Sequence, residues 1–431
     1  MISIVQQTPL LAPAYNDLVM TVVSDNVVSK YKFKYVFDIF SANNTTTTND
    51  YTYVGRVRVT PNPVGYGMLD LSRYIQNQVE STINYFNTNT LVINNATGTT
   101  VNNINTTDFT ISEYYVVVGE EYSTTENGPV LLYNGNDTIQ SGTTLTSITG
   151  NTCYGFDGVK QYNEGLIWDA TDYVLPTGRT LLTNSPRTLY KESDEFMVLS
   201  VLFGTYSGTP FNVGNVRSDV YDSNNTLLAT YPTGGVTGFT RSSTDIEQVY
   251  GSFNLNIITS PNPTWNKIIM RFGYSTPFSE SITIYRKNCP WDKYDPVDIV
   301  WLNRIGGWDT FRFYGSKEET LKIDRTTYKR AYGTWSGPSY TYGTYERGTR
   351  NIRTDLTQQG EVMSDFIDIN TVNWLGELLT SPQVFIIESG TSVRPINITD
   401  NNFKIQLRGN TKLRQVSFKY DYSELIRTQQ K

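Results

Sequence analysis

No histidine occurs anywhere in the 431 residues, and that absence removes the commonest general base, the nucleophile-activating partner of serine and cysteine, and the imidazole ligand of zinc. Carboxylates, lysines and tyrosines are left to do any chemistry. A glycosidase needs only two carboxylates, about 5–10 Å apart, beside rings on which a sugar can stack. Two clusters have that composition: Glu192 with Asp194 and Glu195, and Asp169 with Asp172 next to Trp168. Both read better as turn caps and a solvated edge, so the sequence predicts no catalytic site and no enzyme.

Oxygen-rich runs at Asp222–Asn225 and at Asp400, Asn401 and Asn402 contain calcium-type ligands. Neither has the central glycine and terminal glutamate of the twelve-residue calcium loop, and turn formation accounts for both. The glycines at 204, 208, 234 and 235 are not followed by Lys-Ser/Thr, so they read as turns and not as a phosphate cradle. Cys153 and Cys289, the only two cysteines, have no metal-ligand spacing and read as buried thiols. No cofactor or metal is expected.

The remaining candidate lies in residues 328–353. Tyr328, Trp335, Tyr342 and Tyr345 alternate there with glycines and with Arg330, Arg347, Arg350 and Arg353. Rings offer flat faces and guanidinium groups planar forks, so such a stretch can stack on bases or sugars. It can equally form an arm that wraps a neighbouring subunit. The arm is the better reading, because the net charge of −6 leaves no general positive field for nucleic acid.

The elements that must position these residues are strands. Asn, Thr and Ser dominate the polar residues, and charged residues are only 18% of the chain, below the ~25% of ordinary soluble domains. Thr stiffens extended backbone, while Asn and Ser compete with helical hydrogen bonds. Residues 31–40 and 54–59 alternate apolar and polar side chains, the period of a strand with one buried face. Further strands are expected at 114–118, 130–133, 196–203, 216–221, 227–231, 253–258, 267–272, 282–285, 384–387, 403–407 and 416–420. A hairpin across residues 297–313 turns at Gly306 and Gly307. Short helices are expected after Asp70 or Ser72, carrying Ile75 and Val79, and over residues 371–379 before Pro382.

The fold class is therefore all-β: two to three immunoglobulin-like or jelly-roll-like sandwich domains with few short helices. The expected domains are 1–125, 126–288 and 289–431, the last carrying the arm. No window approaches the 18 apolar residues of a membrane span, and the first residues lack a secretory pattern. Synthesis in a cytoplasm is expected, which a particle released by lysis would reconcile with action outside the cell.

Four stretches carry a resemblance: residues 9–16 from Pro9 to Asn16; the run from Arg56 to Leu71; Gly119, Glu120, Glu121 and Tyr122; and residues 302–309 from Leu302 to Asp309. They resemble uncharacterised virion proteins of tailed phages that infect Bacteroidetes and related aquatic bacteria. The resemblance implies a tail, baseplate or neck subunit, built from immunoglobulin-like sandwiches, located in the virion, and bound to other virion proteins as a symmetric homo-oligomer such as a ring or trimer. A receptor-recognition protein binding host glycans through exposed rings, or a jelly-roll capsid or head-decoration subunit, are the alternatives. Nucleic acid is not an expected partner.

Overall fold

The computed structural model describes residues 1–43, 51–81, 92–93, 100–101, 104–106, 110–140, 142, 144–145, 148–161, 173, 179–203, 216–231, 247–272, 279–287, 295–331, 333–345, 348–388, 393–400, 414–424 and 426. The protein is all-β, with several sheets and short helices. It divides into two compact units: one of residues Met1–Asn288 with Leu302–Thr310, the other of Cys289–Trp301 with Phe311–Lys431.

In the first unit, a three-stranded sheet of Ile2–Gln6, Val19–Ser24 and Tyr66–Asp70 faces a seven-stranded sheet. The larger sheet is built on two 13-residue strands, Tyr31–Asn43 and Ile111–Ser123, paired antiparallel. Met20, Val22 and Leu69 from one sheet and Tyr35, Phe37, Ile39, Tyr114, Val116 and Val118 from the other form a common core. That is the sandwich the alternation predicts.

Both faces of Tyr31–Asn43 are covered from Tyr35 onward, whereas the sequence suggests one. Val36 packs with Val117 and Leu145 on the second face. Asp38 is fully buried there because both its oxygens accept from Arg56 at 2.7 Å, and Oδ2 also accepts from the Leu145 amide at 2.8 Å. A buried carboxylate is tolerated only when its lone pairs are filled in this way.

The same sheet continues past the boundary expected near residue 125. Leu131–Tyr133, Ile148–Thr149 and Cys153–Phe156 all pair with Ile111–Ser123. Pairing decides this, since backbone amides of a buried strand must find partners wherever the chain can supply them.

Two more sheets complete this unit. One orders Thr188–Lys191, Ile282–Arg286, Lys267–Phe272, Val216–Tyr221 and Leu227–Tyr231; the other orders Phe196–Phe203, Glu247–Asn254 and Ile104–Thr106. The strand expected at 253–258 is not formed there. The strand ends at Asn254, and Asn256–Thr259 makes one helical turn. Burial of Leu255 and Ile258 three residues apart, with the Leu255 amide bonded to the Glu195 carbonyl, favours helical over extended spacing at this point. The strand expected at 403–407 lies outside the described residues.

A further seven-stranded sheet has the order Trp308–Phe313, Val297–Leu302, Val384–Ile387, Val393–Ile398, Ser417–Tyr422, Thr349–Met363 and Lys317–Lys329. The helix Ile369–Thr380 starts at Asp368, whose side chain accepts from the Thr371 amide at 2.8 Å. Its Trp374 packs on Trp301 at 5.1 Å and on Phe311 at 6.1 Å. In the first unit, Ser72–Ile75 and Gln76–Gln78 form a short helical segment near Asp70, which accepts from the Ser72 amide.

Candidate functional site: a projecting β-ribbon

Lys317–Lys329 and Thr349–Met363 pair antiparallel in an unbroken register from Lys317 opposite Val362 to Asp324 opposite Asp355 and on to Lys329 opposite Thr349, with one bulge beyond Thr326. The strands form because residues 320–327 are rich in Thr, Ile and Leu, which suit extended backbone. At about 3.3 Å per residue the first strand is roughly 40 Å long.

Its root is tied to the sheet. Thr349–Met363 pairs with Ser417–Tyr422 only from Gln359 to Met363, and Tyr420 packs against Gly360, where a side chain would collide with its ring. Glu319 accepts from Lys317 at 2.8 Å and from the Tyr422 hydroxyl at 3.2 Å. The Lys317 bond holds the Glu319 carboxyl below the usual glutamate range.

Beyond that root the outer strand is exposed, while residues 354–358 of the inner strand are half-buried and Leu356 also bridges Ile426. All 13 residues of Lys317–Lys329 are solvent-accessible, and among the described residues the strand is an edge of the sheet. Its faces differ, as period 2 requires. Leu321 and Ile323, 59% and 44% exposed, lie on one face, with Leu356 opposite Ile323. Lys322 and Asp324 lie on the other, 3.8 Å apart, near the Arg353–Asp355 pair at 2.7 Å.

A second small hairpin forms the tip. Thr334–Ser336 pairs with Ser339–Thr341 across Gly337, whose φ of +61° suits a tight hairpin turn. Trp335 stands opposite Tyr340 with ring centroids 5.0 Å apart, and Tyr342 follows at 6.3 Å from Tyr340. Trp335 is 72% and Tyr345 85% exposed.

The residues expected to form an arm are thus distributed along a ribbon and not along an irregular loop. Trp335 and Tyr342 each pack against Tyr340 at the tip; Tyr328 faces Arg350 across the ladder; Arg330 donates its amide to the Gly348 carbonyl just beyond. Arg353 is occupied by Asp355, so it adds no uncompensated positive charge to a stacking surface. Arg347 lies outside the described residues. Sequence reading missed Tyr340 and the whole root half, residues 317–327. The alternation of Leu321, Ile323 and Arg325 with Lys322 and Asp324 was the available signal.

The acidic clusters have structural partners. Glu195 is buried against Lys191 at 3.0 Å and accepts from the Glu192 amide at 2.8 Å. Asp222 accepts from the Asn224 and Thr226 amides, and Asp400 from the Lys419 amide. Asp169, Asp172, Asn401 and Asn402 lie outside the described residues, as does Cys289. Cys153 is buried, with the Thr8 hydroxyl donating to its sulfur at 3.2 Å.

Among the described residues no helix is long and apolar enough to cross a membrane. The sequence matches no protein-family profile and no curated protein. Among solved structures, a variant of Salmonella alpha-2-macroglobulin aligns with 93% of this chain and 28% of its own length, at 8% identity and a TM-score of 0.14. A likeness that slight carries no argument about fold or function.

Proposed function

We propose that this chain is a structural subunit of a virion tail, baseplate or neck, made in the host cytoplasm, that joins its neighbours in a symmetric homo-oligomer through the projecting ribbon. One observation carries the reading: a strand of 13 exposed residues at a sheet edge, with Leu321 and Ile323 exposed side by side on one face. A two-stranded ribbon buries too little of itself to be stable in water without support. An uncovered edge also offers a row of backbone donors and acceptors to another chain. The role needs no catalytic step.

Antibody labelling of purified particles, seen by negative-stain microscopy, tests it. Regularly spaced label at one level of the tail or neck is expected. Particles that assemble without the protein overturn the proposal.

The tip supports a second reading, binding of host-surface glycans. Trp335, Tyr340 and Tyr342 adjoin one another, and Trp335 and Tyr345 are among the most exposed large side chains. Exposed rings of this kind stack on the apolar faces of sugars. A glycan array is expected to show binding that Trp335→Ala abolishes; an array with no signal removes the reading.

A further inference from the structure

We propose that the outer edge of Lys317–Lys329 is a self-complementary interface, along which two copies of this chain pair antiparallel about a two-fold axis at Ile323. The inference rests on the assembly role above and names its partner: a second copy.

Register selects the axis. A two-fold axis perpendicular to a sheet keeps each face continuous across the new pair, so residues of like face must oppose one another. With Ile323 on the axis, Lys322 falls opposite the second copy's Asp324, and Asp324 opposite the second copy's Lys322. Thr320 meets Thr326, and Leu321 meets the aliphatic stem of Arg325. Moving the centre by one residue sets Lys322 or Asp324 against its own copy, which like-charge repulsion disfavours. In the chosen register the one like-charge pair, Lys317 with Lys329, lies at the two ends.

Each face also gains something that the single chain lacks. On the apolar face, Ile323 stands opposite Leu356, so pairing makes an unbroken row of Leu356, Ile323, Ile323 and Leu356 across four strands. Leu321 and Ile323 are exposed in the single chain; the row covers Ile323 in part, and the Arg325 stem of the second copy covers Leu321 in part. On the polar face, Asp324 and Asp355 oppose each other across the ladder, a like-charge juxtaposition. Lys322 of its own strand reaches Asp324 only at 3.8 Å, and the second copy's Lys322 arrives directly beside it. The contact is isologous, and joins copies in pairs or joins two rings face to face.

Sedimentation velocity on the full chain tests the charges. The wild type is expected to dimerise. Lys322→Asp and Asp324→Lys singly weaken association about tenfold or more, by setting like charges opposite one another, and the double variant K322D/D324K restores it. These side chains are exposed, so the fold does not depend on them. Ile323→Cys tests the axis: mild oxidation yields a covalent dimer above the background set by the two native cysteines, and Thr327→Cys does not. A monomeric wild type, single reversals that associate like wild type, or no Ile323→Cys cross-link each overturn the pairing. A monomeric chain still present in particles removes the self-pairing alone, and a dimeric chain absent from particles removes the virion placement alone.

Discussion

Two successive hairpins of the same sheet meet opposite fates. The first, Val297–Leu302 with Trp308–Phe313, has a turn that clusters with the first unit. Asn303 is the centre of that turn. Its Nδ2 donates to the Leu182 carbonyl at 2.8 Å and to Asp309 at 3.1 Å, while its Oδ1 accepts from the Ile305 and Gly307 amides at 3.0 Å. Around it, Val159 donates its amide to the Arg304 carbonyl, Trp308 its amide to the Ser200 hydroxyl, and Ile305 joins Leu11, Phe156 and Leu202 in a core. The second hairpin, Lys317–Lys329 with Thr349–Met363, begins a few residues later and leaves its first strand wholly exposed. Strand pairing by itself therefore says nothing about burial. Side-chain composition at the turn and along the strand does: Asn, Ile and Trp with two glycines in one, and alternating Lys, Asp, Arg and Thr in the other.

The two turns should respond most differently to an added methyl group. At Gly307 a Cβ would stand 2.0 Å from the Leu182 carbonyl oxygen, whereas at Gly337 nothing lies within 4 Å. Gly307→Ala is expected to cost about 3 kcal/mol or more, read as a lowered midpoint in thermal unfolding. Gly337→Ala, strained only by its positive φ, is expected to cost about 1 kcal/mol or less, confined to the tip. Equal effects would end the distinction between a buried and a free turn.

Next in size, Asn303→Ala strands the Ile305 and Gly307 amides in a buried site. A loss of about 2–3 kcal/mol is expected in chemical denaturation, and an unchanged midpoint would show that the turn is held by its apolar neighbours instead.

Shortening the exposed hairpin should do far less to stability. Replacing residues 322–357 by an Asn-Gly turn, between the paired Leu321 and Gln358, is expected to move the global unfolding free energy by about 1 kcal/mol or less. The same variant should fail to enter particles. If stability collapses, the ribbon belongs to the fold and is no arm.

The smallest expected effect is one of pH at the ribbon root. The Lys317 bond lowers the Glu319 pKa from 4.5, so the folded form holds its proton less tightly than the unfolded chain does. Its contribution is complete above that ordinary value and is lost as pH falls through the lowered folded value. Amide exchange at the root, corrected for intrinsic rates, should therefore quicken at acid pH. Glu319→Gln should remove the pH dependence, and persistence of the effect in that variant would place it on another group.

Much of this architecture is legible from residue order. Most strands follow from period-2 alternation, because one repeat of the pleat sends successive side chains to opposite faces. The helix Ile369–Thr380 lies where residues 371–379 are expected to form one before Pro382, and the turn at Gly306 and Gly307 where its residue types place it. The projecting element was legible only in part: rings and arginines drew the eye to residues 328–353, while the root half beside them reads as an ordinary strand.

Local pattern could not supply the long-range choices. Whether Val36 and Asp38 sit in solvent or in a second core depends on Leu145 and Arg56, which arrive from elsewhere in the chain. That Leu131–Tyr133 and Cys153–Phe156 complete the first sheet is likewise a matter of which unpaired edge they reach. Sequence alone determined the alternation, the turns and the lack of imidazole chemistry, since these are properties of neighbouring residues and composition. Tertiary structure alone decided which turn is buried and which strand is left at an edge, because burial and pairing are settled between residues that are not neighbours in sequence.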